Sequence, residues 1–375
     1  MRAVFAGGGT GGHLYPAIAV ADALRDRGSA AIAFIGTADR LESTIVPRAG
    51  YTLFTIESRP LTRKPSFELL RTFVANARGI VASLRILANA RPSVVIATGG
   101  YVCFPVVVAA RILRGLRRID APIVLLEPNA SPGLTNRLLA PLVDEVWGAF
   151  AKADARFAGK YVFTGIPVRA ALRRLPARDE AVERLGLSPK RRTLLALGGS
   201  QGARSINDAL TSLVTSGGLP EGWQLVHVTG EREYDRVRAA LDGPRDAARA
   251  APAVRPYLHD LSDAYAASDL VLARAGASTL GELAAIGRPA ILVPYPHAAD
   301  DHQRKNAEMF AAQGAAVIAE DRDLVAGKLR GILAEVASPS RLSSLHAAAE
   351  RLRADDPVAT ILARIDALTA RKTRK

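Results

Sequence analysis

Gly7-Gly8-Gly9-Thr10-Gly11-Gly12-His13 follows the apolar run Ala3–Ala6, and the same construction returns twice further along the chain. Gly99-Gly100-Tyr101 follows Val94–Thr98, and Gly198-Gly199-Ser200-Gln201-Gly202 follows Leu194–Leu197. Each copy is an apolar run, a glycine cluster and then a helix-like pattern. Glycine lets the backbone turn sharply and approach a ligand closely. The start of the following helix offers unpaired N–H groups and a positive dipole end, which suit phosphate. Loops of this kind in both halves of the chain predict two α/β domains facing one anionic ligand.

Outward from these loops, strand-like runs alternate with helix-like segments, the mark of a parallel sheet covered by helices. The first series is Ala3–Ala6, Ala31–Ile35, Thr52–Ile56, Val94–Ala97, Ile123–Leu126, Glu145–Trp147 and Tyr161–Thr164. The second is Thr193–Leu197, Gln224–Val228, Val254–Tyr257, Leu270–Ala273, Ala290–Val293 and Ala316–Ile318. The turn-forming stretch Gly165-Ile166-Pro167-Val168-Arg169 ends the first series. It gives a first Rossmann-like domain over 1–165 and a second over 166–355. Residues 356–375 form a C-terminal helix and basic tail, expected to pack back toward the first domain. Arg169–Pro189 is polar and charged and reads as one connecting helix.

Composition narrows the function classes. Apolar residues make up 49% of the chain, enough for full cores. The single cysteine, Cys103, excludes an internal disulfide framework, fits a reducing compartment and reads as a small buried hydrophobe. Met1–Ala6 meets Gly7 after only a strand's length, so no signal peptide is expected. The longest apolar run, Val102–Ala110, is broken by Pro105 and is too short to span a bilayer. A soluble, cytoplasmic protein is expected. The net charge of +14 is concentrated: eleven Lys/Arg and one acid, Glu68, lie between Arg59 and Arg118, and Arg371, Lys372, Arg374 and Lys375 close the chain. The remainder is neutral. Such a field suits a membrane surface, a nucleic acid or a phosphorylated substrate. Aromatic platforms and reader motifs are lacking, so no nucleic-acid partner is expected.

The helix expected over 66–89 carries Leu70, Phe73, Val74, Ala77, Ile80, Val81, Leu84 and Leu87 at helical spacing, with Arg71, Arg78 and Arg85 beside them. The stripe reads first as a core-facing side with an arginine edge. The alternative adds Phe67 and Leu69 and rests the helix on anionic lipid.

Three chemistries compete for the loops. Gly7, Gly9 and Gly12 fit a dinucleotide fingerprint, but no acid closes the second strand to bind ribose, since Asp39 comes late. Gly198-x-Ser200-x-Gly202 fits a nucleophile elbow, with Asp269 and His297 or His302 following in order. Each of these leaves the other loops idle. A two-domain nucleotide-sugar transferase uses all three. The deciding segment is Arg274-Ala-Gly-Ala-Ser-Thr-Leu-Gly-Glu282-Leu, after the strand Leu270–Ala273. Gly276 permits a turn, and Ser278 or Thr279 can cap the next helix. Glu282 reads either as capping-box chemistry or as a carboxylate for two ribose hydroxyls, with the helix N–H groups on phosphate. Downstream, Gln303 and Asn306 share a helix face, where neutral amides can read sugar hydroxyls. Asp300-Asp301-His302 reads as the polar start of that helix rather than a metal site.

GGGTGGHLYPA from Gly7, GGYVCFP from Gly99, EPNASPGLTN from Glu127, GIPVR from Gly165, GGSQGA from Gly198, RAGASTLGE from Arg274 and PYPHAADDHQRKNA from Pro294 together resemble the MurG family of peptidoglycan glycosyltransferases. The chain departs from the family pattern at Pro128, at Ile166 and at Cys103-Phe104. The resemblance implies a GT-B fold, two Rossmann-like doubly wound domains with an interdomain cleft. It implies transfer of N-acetylglucosamine from UDP-N-acetylglucosamine to lipid I, making lipid II. The first domain would face the acceptor and the membrane, and the second would bind the UDP-sugar. Thr10, Gly11 and Gly12 would line the donor and catalytic cleft, and Asn129 and Gln303 would contact N-acetylglucosamine. Arg169 and Ser200 would stabilise the diphosphate, and Leu258 would sit at the uracil. Ala277, Ser278, Thr279, Leu280, Gly281 and Glu282 would hold phosphate and ribose. The implied reaction is an inverting displacement by the 4-hydroxyl of the N-acetylmuramyl acceptor. His13 is the candidate general base, because imidazole titrates near working pH, and Glu127 is an alternative near the acceptor. No carboxylate pair with metal-like spacing flanks a glycine loop, so no metal or other cofactor is expected. The basic residues 59–118 would hold the protein at the cytoplasmic face of the cell membrane as a peripheral protein.

Overall fold

The structure, a computed structural model, describes residues 1–28, 30–60, 67–151, 154–199, 202–242, 251–325, 327–353 and 356–373. Each apolar run of the two series becomes a strand, while the longer run Val102–Ala110 enters the Cys103–Gly115 helix. β1 (Arg2–Ala6), β2 (Ala31–Gly36), β3 (Thr52–Thr55), β4 (Val94–Ala97), β5 (Ile123–Glu127), β6 (Glu145–Gly148) and β7 (Tyr161–Phe163) form one sheet in the order β3-β2-β1-β4-β5-β6-β7. β8 (Arg192–Leu197), β9 (Trp223–Val228), β10 (Ala253–Arg255), β11 (Leu270–Ala273), β12 (Ala290–Leu292) and β13 (Ala316–Ile318) form a second, in the order β10-β9-β8-β11-β12-β13. All pairings are parallel. In each sheet the strand order reverses once, between β1 and β4 and between β8 and β11. In doubly wound sheets the ligand crevice opens at such a reversal, beyond the carboxyl ends of the strands.

The chain divides into two compact units, Met1–Arg169 with Asp356–Lys375, and Ala170–Asp355. In the first unit, side chains of β1 alternate between layers: Val4 and Ala6 join one core, Ala3 and Phe5 the other. The second layer is completed from the far end of the chain. The Pro357–Thr373 helix inserts Val358, Ile361, Leu362, Ile365 and Leu368 among Phe5, Phe34 and Trp147. Arg364 forms an ion pair with Glu145, which also accepts from Trp147 Nε1 at 2.9 Å. Residues 374 and 375 of the basic tail lie outside the described residues.

Two expectations need correction. The segment 169–189 is not one helix but two, Ala170–Arg173 and Arg178–Arg184. Pro176 stands between them and biases the preceding residue away from helical backbone. The Phe67–Ala90 helix turns its apolar stripe the other way over its first turns. Leu70, Phe73, Val74 and Val81 are exposed, at 58%, 57%, 46% and 49%, while Thr72, Ala75, Asn76 and Ser83 are buried. Asn76 explains the inversion. Its Oδ1 accepts from Ser58 Oγ (2.9 Å) and Arg59 N–H (3.3 Å), and its Nδ2 donates to the Arg59 carbonyl at 3.1 Å. The small polar face can approach the 57–59 loop closely; the bulky face cannot.

Candidate active site

In the first unit the glycine loops after β1 and β4 interlock at the strand-order reversal. Gly99 and Gly100 take φ of +108° and +86°, and a Cβ on Gly100 would lie 2.6 Å from the Gly8 carbonyl oxygen. A Cβ on Gly99 would strike the His13 ring at 2.4 Å. Only glycine permits this backbone and this approach. His13 lies in the first turn of the Gly11–Asp26 helix, whose N-cap is the exposed Thr10. Its Nδ1 is 2.9 Å from the Thr98 carbonyl. A carbonyl only accepts, so Nδ1 carries a proton, and in the neutral form of the ring Nε2 holds the lone pair. Cys103 is buried between the same loops, with Sγ 3.2 Å from the Ala6 carbonyl, and burial pushes its thiol up to about 12.

Glu127, at the end of β5, is only 3% exposed and organises the 128–136 loop from within. Its Oε1 accepts from Asn129 N–H (2.9 Å) and Nδ2 (3.2 Å), and its Oε2 from Gly133 N–H (3.2 Å) and Asn136 Nδ2 (2.9 Å). Burial pushes its carboxyl up to about 7, against the pull of those four donors. Glu127 thus fixes Asn129. Arg169, at the end of the unit, places its guanidinium 4.9 Å from the centre of the Tyr15 ring, one face of the helix that begins at Gly11.

In the second unit the loops after β8, β11 and β12 stand at the corresponding reversal. Ser200 lies outside the described residues. Gly202 takes φ of +79°, and a Cβ there would meet the Thr229 carbonyl oxygen at 2.6 Å. Beneath it, Asn207 Nδ2 donates to that carbonyl (3.0 Å), and His227 Nε2 lies 2.9 Å from Asn207 Oδ1. The Ala277–Ile286 helix begins beyond Gly276, which is its N-cap, and no side chain caps it. The capping reading of Ser278, Thr279 and Glu282 is therefore corrected: the cap position falls two residues before Ser278, and Glu282 lies too far into the helix. Glu282 Oε2 instead accepts from Tyr265 Oη at 2.7 Å. Ala277, Leu280 and Gly281 are buried, while Ser278, Thr279 and Glu282 are partly exposed. Ser278 Oγ is buried without a hydrogen-bond partner. Gly276 has no side chain to cap the first N–H groups of this helix, an arrangement that suits an anion.

Gln303 Oε1 accepts from Tyr295 N–H at 3.0 Å, so its amide group is oriented by the loop after β12. Asn306 does not share that role. It is 0% exposed, and its Nδ2 donates to the Ala275 carbonyl at 3.3 Å, tying two loops together. Leu258 is half-buried in the turn after β10, where the rings of Tyr257 and His259 pack edge-on at 5.0 Å. Arg274, in the deciding segment, donates to Asp321 Oδ1 (2.6 Å) and Ser205 Oγ (2.9 Å) and is structural. Among the described residues no group of three or more His, Cys, Asp or Glu side chains could hold a metal ion.

The sequence gives no sign of Glu42, Thr98 or Tyr265 as parts of these sites, because each acts through a neighbour brought close only by the fold.

Residues 3–147 match the glycosyltransferase family 28 N-terminal domain, and residues 193–359 match the glycosyltransferase family 28 C-terminal domain. The UDP-N-acetylglucosamine--N-acetylmuramyl-(pentapeptide) pyrophosphoryl-undecaprenol N-acetylglucosamine transferase of Moorella thermoacetica is 42% identical over 358 residues, 94% of this chain and 95% of the relative. The MurG crystal structure from Acinetobacter baumannii superposes with a TM-score of 0.74 at 26% identity, covering 98% of this chain and 99% of that one. The chain is a member of the MurG family. A second MurG-family relative, from Desulforudis audaxviator, is 39% identical with 100% of both chains covered. The calicheamicin glycosyltransferase CalG4, 17% identical, shares the fold with a TM-score of 0.66 over 99% of this chain and 98% of its own. The two doubly wound sheets are those of the GT-B fold that MurG and these glycosyltransferases share.

Proposed function

We propose that this protein transfers N-acetylglucosamine from UDP-N-acetylglucosamine to the 4-hydroxyl of the N-acetylmuramyl unit of lipid I, forming lipid II for peptidoglycan. One observation carries the reading. In a chain whose relatives bear that transferase name along their whole length, glycine loops and functional side chains gather at the strand-order reversal of both sheets. The second unit supplies the donor site. The N–H groups opening the Ala277–Ile286 helix hold phosphate, Glu282 takes the ribose hydroxyls, Leu258 the uracil and Gln303 the sugar. The first unit supplies the acceptor side and part of the donor cleft. Asn129, aimed by Glu127, contacts the N-acetylglucosamine, and Thr10, Gly11 and Gly12 line the cleft and open the helix that carries His13.

The displacement inverts the anomeric centre. His13 Nε2 takes the proton of the attacking hydroxyl, and Thr98 steadies the imidazolium that forms by accepting from Nδ1. Negative charge grows on the departing diphosphate. Backbone N–H groups, Arg169 and Ser200 stabilise it electrostatically, a task for which preorganised donors suffice.

The membrane reading rests on the exposed face of the Phe67–Ala90 helix. Leu70, Phe73, Val74 and Val81 are exposed beside the exposed Arg71, Arg78 and Arg85. Among the described residues no helix is long and apolar enough to cross a membrane. An apolar patch flanked by arginines suits the surface of an anionic leaflet and supports the reading of a peripheral protein on its cytoplasmic side, where lipid I would be met. Of the basic stretch 59–118, Arg63 and Lys64 lie outside the described residues, as does the side chain of Phe67.

The test is a radiolabelled transfer assay with UDP-N-acetylglucosamine and lipid I, run with and without chelator. Lipid II should form in both. Absence of product, with no binding of UDP, would overturn the reading.

A further inference from the structure

Glu42 is 0% exposed, at the start of the Glu42–Arg48 helix. Its Oε1 accepts from Thr37 N–H at 3.0 Å and Thr37 Oγ1 at 2.6 Å, and its Oε2 accepts from Gly9 N–H at 3.0 Å. Both oxygens thus act as acceptors, one toward the end of β2 and one toward the first glycine loop. The loop rests directly on the carboxylate: a Cβ on Gly8 would stand 2.4 Å from Oε1. Gly9 leads into Thr10, whose carbonyl accepts from His13 N–H at 3.2 Å. The His13 ring is held separately, through Nδ1 on the Thr98 carbonyl. The imidazole therefore has two reference points: its ring is set by β4, and its backbone by a loop that Glu42 grips.

We infer that Glu42 is a positioning residue for the transfer, fixing where the first glycine loop delivers the His13 imidazole to the acceptor hydroxyl. The inference rests on His13 acting as the base. Glu42 touches neither substrate. Its grip also occupies the Gly9 N–H, so this amide is not a ligand donor, unlike the amides that open the helix after Gly276.

Glu42→Gln separates the grip from the fold. An amide offers one acceptor oxygen. Turned toward Thr37 to keep two bonds, it faces Gly9 N–H with a second donor and releases the loop. The kcat for transfer to lipid I should fall about 10- to 100-fold, a part of what loss of a general base removes. UDP affinity, set chiefly by the second unit, should stay within about twofold, and amide exchange over residues 7–13 should quicken. The decisive readout is a double-mutant cycle. If Glu42 acts through His13, then His13→Ala and His13→Ala/Glu42→Gln should have the same kcat within about threefold. Thr37→Val, which touches the carboxylate but not the loop, should lower kcat less than about threefold. Should Glu42→Gln be insoluble, Gly8→Ala wedges the loop off the carboxylate and is read in the same cycle. A parental kcat in Glu42→Gln, losses that multiply in the double variant, or loss of UDP binding together with activity would each overturn the inference. Wild-type protein that transfers nothing would instead sink the proposed function.

Discussion

Tyr265 is wholly buried, and its hydroxyl donates to Glu282 at 2.7 Å. A carboxylate asked to take two ribose hydroxyls needs its own rotamer fixed from behind. Tyr265→Phe should therefore raise the KM for the donor about tenfold, in line with a hydrogen bond to a charged group, and leave kcat within about threefold. Steady-state kinetics at saturating lipid I decide this, and an unchanged donor KM would count against the ribose role. His227 makes a pH prediction. Burial lowers its pKa to about 4, against an ordinary 6.5, and its Nδ1 has no hydrogen-bond partner. Between those values the unfolded chain holds a proton that the native ring refuses, so unfolding takes up a proton. Stability contributed by this residue is level above about pH 6.5, declines as pH falls, and levels again below about pH 4, a loss of about 3 kcal/mol. Glu127, with a raised pKa, titrates in the opposite sense. The difference in melting temperature between parent and His227→Gln across pH 4–7 isolates the histidine. Parallel curves would refute the assignment. Glu282 itself was legible in the sequence as a carboxylate after a glycine turn. Its Tyr265 partner was not, since 17 residues and a strand separate them.

At the level of elements, the exposed face of the Phe67–Ala90 helix carries its own test. Leu70→Glu/Phe73→Glu should weaken binding to phosphatidylglycerol vesicles at least about tenfold, because each change removes buried apolar area and adds repulsion. The melting temperature should hold nearly constant, since exposed substitutions cost about 0.5 kcal/mol or less. Parental vesicle binding would remove this face from the membrane reading. The helix also marks where sequence periodicity loses its power. Strand positions were readable because apolar runs of only three to six residues, alternating with longer helix-like segments, suit strands covered by helices. Periodicity located the helix equally well but named the wrong face as inward for Leu70, Phe73, Val74 and Val81. Period 3.6 identifies a stripe, not its destination. The destination was set by Asn76 and its bonds to Ser58 and Arg59, partners that exist only once the chain is folded. The same limit applies to Asn306, which shares a helix with Gln303 yet is consumed by the Ala275 carbonyl. The glycine loops suffered less, because glycine clusters after strands report a backbone requirement directly.

For the whole molecule, the first unit depends on residues encoded after the second. Val358, Ile361, Leu362, Ile365 and Leu368 fill the layer beside Phe5, Phe34 and Trp147. Each such side chain contributes about 1.5–3 kcal/mol, and together they rival the whole margin of a domain. Ending the chain at Arg353 should leave the first unit unable to melt cooperatively, while the second still binds UDP; calorimetry and UDP titration of the truncated protein test both halves. A cooperative transition of parental size for the first unit would contradict the packing. This discontinuity also dictates an order of assembly during translation. Ribosomes release a chain from its N-terminus, and domains ordinarily fold as they emerge. Here the lobe made first must wait, one sheet face covered only in part by the Gly11–Asp26 helix, until everything between Ala170 and Asp355 has been synthesised. The unit that starts the protein is accordingly the last to close.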